Sequence, residues 1–120
     1  MTSNPPHTKT SSLHLGMSAV VGSLNDALGA STVADLAGAK DSKTPFRWAQ
    51  TGGPTPRDTS ARRLLFAYEQ WTLLRTAIGA EAARLWFIAA NPALSYETPV
   101  EAIRGDRFKE TAKAAASLAG

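Results

Sequence analysis

Apolar residues recur along this chain at the three-to-four-residue spacing of helices, and nowhere with the strict alternation of a strand. Val20, Val21, Leu24 and Leu28 make one stripe over about Met17–Leu28, which Gly29 ends. A short second helix is predicted from Thr32, which stands three residues before Asp35 in near capping-box spacing, to Gly38. The stretch "DSKTPFRWAQTGG" predicts a short third helix. Pro45 tolerates only a first turn, which fits a cap at Ser42 or Thr44 but not at Asp41, and Gly52-Gly53 ends it. Thr55-Pro56-Arg57-Asp58 repeats cap, proline and acid and opens the longest helix, about 56–78. There Leu64, Tyr68, Trp71, Leu74 and Ile78 share a face that Phe66 and Leu73 widen.

Three more helices are predicted by the same reasoning. One, about 80–91, carries Ala83, Trp86, Phe87 and Ala90. The next opens on Thr98-Pro99-Val100-Glu101, a full capping box with proline at the first position, and stops at Gly105. The last is capped by Asp106 and carries Phe108, Ala112, Ala115 and Leu118. Between them, Asn91-Pro92 reads as a helix stop, because asparagine accepts a left-handed cap and the residue before proline resists helix. Trp86 and Phe87 are adjacent and so point about 100° apart on a helix. One belongs to the core and the other to an interface, and spacing does not say which. The expectation is an all-α chain. A disordered tail at 1–14 precedes a helix-turn-helix-like unit at 15–55, followed by the long helix and a small helical unit at 56–120.

Composition narrows the chemistry. The 120 residues suit one domain, with 43% hydrophobic and 19% charged positions as in ordinary globular proteins. Without cysteine there is neither a disulfide framework nor a thiolate metal site. No apolar run approaches a membrane span and no secretory signal is visible, so the expected compartment is the cytoplasm. His7 and His14 are the only histidines and make a poor metal pair, so no metal site is expected. No Ser/His/Asp or Cys/His set and no phosphate loop can be assembled. The expectation is therefore a binding protein with no cofactor, not an enzyme.

Charge points to where binding could occur. Residues 1–63 hold seven Lys/Arg against four Asp/Glu, a net +3, whereas residues 64–120 hold six of each. The excess gathers around the third helix, which reads as the recognition helix of a helix-turn-helix. Candidate DNA contacts are Lys40, Ser42, Lys43, Thr44, Arg47, Gln50 and Arg57: Arg and Gln suit base edges, Lys and Thr suit phosphates. Trp48, on the opposite face, is assigned to the core. Pro45 shortens this helix, and Gly52-Gly53-Pro54 is expected to loosen its link to the long one.

Two stretches resemble the Xre/MbcA/ParS antitoxins, the partners of RES-domain toxins. "DLAGAKDSKTPFRWAQTGGPTPR" looks like the second half of that family's helix-turn-helix. "ARLWFIAANPALSYETPVEAIRGDRF" looks like its toxin-binding domain, with a Trp helix, an Asn-Pro-x-Leu turn, a Thr-Pro helix start and a final Phe-bearing helix. The resemblance covers roughly residues 17–120. It implies an antitoxin that binds a toxin consuming NAD and blocks its active site, and that can also bind its own promoter, expected as a homodimer. Under it, Asn91, Pro92 and Leu94 shape the turn, Trp86 and Phe108 hold it, and Pro99 starts the next helix. The segment from Lys113 through Ser117 and Leu118 to Gly120 then lies near the toxin's pocket as a slim plug. The competing expectation is a helix-turn-helix transcriptional regulator with no toxin partner.

Overall fold

The structure, a computed structural model, describes the backbone of residues 6–120 and the side chains of residues 16–120. Its helices are α1 (Pro6–Leu28), α2 (Ala30–Ala37), α3 (Thr44–Ala49), α4 (Asp58–Ile78), α5 (Ala80–Ile88), α6 (Pro99–Arg104) and α7 (Phe108–Ala119), with one 3₁₀ turn at Pro92–Leu94. No strand occurs among the described residues. The all-α expectation holds. Residues 1–5 of the expected tail lie outside the described residues. From Pro6 onward the chain is helical, with proline at a first helical position, where its missing N–H is no loss.

The long α4 is the axis, packed against α1, α2, α5, α6 and α7. Its buried stripe is Leu64, Ala67, Gln70, Trp71 and Leu74. Around it Val21 and Leu24 of α1, Val33 and Leu36 of α2, Trp48 of α3, Phe87 of α5 and Ile103 of α6 close one core. That core runs across the 55/56 boundary, so both parts of the chain are stabilised by the same apolar burial. Trp48 is a core anchor. Leu73, expected to widen the buried face of α4, is 41% exposed.

Several helix ends differ from expectation for local reasons. Thr32 lies inside α2, whose N-cap is Gly29 with no side-chain cap. Neither Ser42 nor Thr44 caps α3: its N-cap is Lys43, and the Asp41 side chain accepts from the Lys43 N–H at 2.8 Å one turn earlier. The long helix starts at Asp58, leaving Thr55-Pro56 outside it. Asp106 does not cap α7. It sits at φ 62° and accepts from the Arg63 Nε at 2.9 Å, while the N-cap is Arg107.

Two glycines are fixed by close approach. A Cβ on Gly53 would collide with the Arg47 carbonyl and lie 3.1 Å from that of Gln50, and the Gly53 N–H bonds the Gln50 carbonyl at 2.9 Å. Gly53 therefore holds the chain closely against α3 rather than loosening it. Gly38, at φ 80°, leaves room for the Arg63 guanidinium, which donates to the Ala37 carbonyl at 2.9 Å. Arg63 thus ties the end of α2, the N-terminal part of α4 and the α6–α7 turn together.

Candidate partner-binding groove

The stop at Asn91-Pro92 is built differently from a left-handed cap. Asn91 is extended (φ −122°, ψ 119°), as a residue before proline must be. α5 ends earlier than expected, at Ile88. Asn91 is the hub of the turn. Its Oδ1 accepts from the Ala93 N–H at 2.9 Å, and its carbonyl accepts from Leu94 and Tyr96 at 2.9 and 2.8 Å. Its N–H donates to the Glu97 carbonyl at 3.0 Å. The left-handed positions fall later, at Ser95 and Tyr96. Thr98 and Glu101 form the expected reciprocal box: the Glu101 N–H donates to Thr98 Oγ1 at 3.0 Å, and the Thr98 N–H to Glu101 Oε1 at 2.9 Å.

Beneath this turn Leu94 is fully buried with Ala102 and Ala114, and Trp86 packs across them. The choice left open by spacing is resolved. Phe87 has no exposed surface and belongs to the main core, while Trp86 is half-buried and meets its ring edge-on at 5.1 Å between centroids. Trp86 then forms one wall of a groove of about 450 Å³ between the turn and α7. Ala89, Ala90, Asn91, Pro92, Ala93, Ala114, Ser117 and Leu118 complete it. None of these residues is charged.

The groove thus brings together Trp86, Asn91, Pro92, Ser117 and Leu118 of the expected partner-binding residues. Leu94 and Pro99 are interior, so they can shape the groove but not touch a partner. Phe108 does not hold the turn. Its ring lies 4.7 Å from that of Phe66 and fastens the start of α7 to α4. Lys113 and Gly120 are exposed and do not line the groove. The expected plug is a helical segment whose Ala114 and Ala115 are buried, with Leu118 left 47% exposed. Sequence reasoning passes over Ala89 and Ala93, and gives Ala90 and Ala114 no place of their own in the partner-binding set. Their only signal is a run of small residues on either side of the turn.

Arg107, the arginine near the turn, is shared by two carboxylates. Arg107 pairs with Glu97 and donates to Glu110 at 2.9 Å. The hydrogen bond from Arg107 holds the Glu110 carboxyl below its ordinary value, and the same bond raises Arg107. A second hollow, of about 500 Å³ between α1, α4 and α5, is lined by Asp26, Tyr68, Trp71, Arg75, Glu81 and Arg84 among others. It gathers none of the expected site residues.

The expected DNA-contact residues stay on the surface. Lys40, Ser42, Lys43, Arg47, Gln50 and Arg57 are exposed and Thr44 is half-buried, on α3 and its flanking turns. Arg47 is occupied within the chain. Its guanidinium lies 3.6 Å from the Asp41 carboxylate and donates to Thr44 Oγ1 at 3.4 Å. Asp41 is held below its ordinary value chiefly by the Lys43 N–H, and further by Arg47.

No protein-family model and no curated protein sequence matches the chain. In three dimensions it is similar to a chain of the M. tuberculosis MbcT-MbcA toxin-antitoxin complex, with a TM-score of 0.70 and 19% identity. The match covers 85% of this chain and 92% of that one. What the two share is the fold.

No helix among the described residues is long and apolar enough to cross a membrane.

Proposed function

We propose that this protein is an antitoxin of a type II toxin-antitoxin system, which binds a RES-domain, NAD-consuming toxin and occludes its active site. The observation that carries the reading is the fold shared, over most of both chains, with a member of a toxin-antitoxin complex. The groove supports it. A rigid, uncharged slot walled by tryptophan, proline and leucine is suited to burying an apolar segment of another protein, and its hydrogen-bonded turn loses little entropy on binding. Under this reading the chemistry belongs to the toxin and the chain supplies no catalytic group. The protein acts as a homodimer in the cytoplasm.

The test is a search of the adjacent gene for a RES-domain reading frame, followed by co-expression of that protein with this chain. The two are expected to elute as one complex in size-exclusion chromatography and to restore growth that the toxin alone arrests. Separate elution with continued arrest would refute the reading.

The exposed basic edge around α3 supports a second role, binding of the operon's own promoter. The Arg47–Asp41 pair is more than half exposed on both sides. Such an exposed pair is screened by solvent and contributes little, so Arg47 can exchange it for a base or phosphate. Arg47→Ala is expected to weaken promoter binding at least about tenfold in a gel shift, corresponding to about 1.4 kcal/mol. Unchanged binding would remove α3 from the DNA contact.

A further inference from the structure

Ser95 (φ 57°) and Tyr96 (φ 68°) are consecutive left-handed residues in the turn that walls the groove. Glycine and asparagine take this conformation readily, but a bulky side chain crowds its own backbone there. Tyr96 returns nothing to the fold for that strain. Its ring is 71% exposed, more than any other large apolar side chain among the described residues. The side chain makes no hydrogen bond and no ring contact among them, and only the backbone is used, the N–H donating to the Asn91 carbonyl. Strain kept at an exposed site, with an idle side chain, marks a position held for function rather than stability.

The surroundings say what the ring meets. The turn is closed by the bonds that converge on Asn91 and by those from Ser95 to Pro92 and from Glu97 to Leu94, so the ring is presented on a fixed frame. The adjoining groove carries no charged side chain, and the nearby cation Arg107 is taken up by Glu97 and Glu110. A rigid, projecting tyrosine beside an uncharged groove fits an apolar recess on a protein.

We infer that Tyr96 is an aromatic anchor inserted into an apolar recess of the protein partner, beside the segment that fills the groove. This rests on the antitoxin reading, which supplies the partner. The test uses the purified toxin, calorimetric titration and thermal unfolding. Tyr96→Asn relieves the left-handed strain, so its Tm is expected to rise by about 2–6 °C. Its affinity for the toxin is expected to fall at least about 30-fold. Tyr96→Phe keeps both ring and strain and is expected to keep Tm and hold affinity within about fivefold. The inference is overturned if Tyr96→Asn binds like the unaltered chain, if it loses stability and affinity together, or if Tyr96→Phe binds as weakly as Tyr96→Asn. A toxin complex indifferent to Tyr96 sinks this inference alone. No complex with the unaltered chain sinks the antitoxin reading as well.

Discussion

Replacing Phe87 with alanine is expected to remove about 3–5 kcal/mol of stability. The ring is fully buried in the main core, among the largest side chains there, and Trp86 packs edge-on against it. Domains of this size are stable by about 5–15 kcal/mol, so the loss is a large share of the total. Tm should fall by about 10–20 °C. Urea unfolding followed by circular dichroism measures it directly. A cost below about 1.5 kcal/mol would mean that Phe87 is not the core residue of the pair. Trp86→Ala is the informative contrast, because the half-buried indole contributes less to the core and more to the groove wall.

Leu118→Glu is expected to leave the protein folded and to weaken toxin binding at least about 100-fold. Leu118 is 47% exposed, so the fold gives up little apolar burial there. A new acid near the end of α7 costs about 0.3–1 kcal/mol against the helix dipole. In a complex the carboxylate would be buried in a groove with no charged lining, and an unpaired buried charge costs about 3–5 kcal/mol. Ala116→Glu is the matched control, since it carries the same dipole cost on an exposed residue that does not line the groove. Equal binding by the two variants would remove the groove from the interface. This comparison is cleaner than cutting the chain at Lys113. Truncation there would also remove Ala114 and Ala115, which are buried.

The parts of this fold legible in the sequence are those decided within a few residues. Thr98, Pro99 and Glu101 specify a helix start by mutual bonds three residues apart, and the capping box is present as read. The stripe of α4 is local in the same sense, whereas α5 stops at Ile88, before the stop read at Asn91-Pro92, and Asn91 is extended rather than left-handed. What escapes a sequence reading depends on distant partners. Asp106 reads as a helix cap, but Arg63, 43 residues earlier, claims its carboxylate. The family resemblance places Phe108 at the turn, but its ring partner is Phe66 on α4. A 100° offset does not say whether Trp86 or Phe87 faces inward, because the direction of the core is set by how α5 packs on α4. Gly53 reads as slack, because sequence does not show the Arg47 and Gln50 carbonyls waiting against its α-carbon. The groove is half legible for the same reason. Its aromatic and proline members stand out by type, whereas its alanines matter only once α7 lies beside the turn.

If this chain protects a cell from an NAD-consuming toxin by covering that enzyme's active site, cellular NAD reports it without intermediaries. The measurement is the NAD content of cells expressing the RES-domain toxin that the proposal requires as partner, with and without this chain. NAD is expected to fall with the toxin alone, to stay near its resting level when the unaltered chain is co-expressed, and to fall again with Leu118→Glu. NAD drained to the same extent while this protein is abundant and folded would contradict the antitoxin reading.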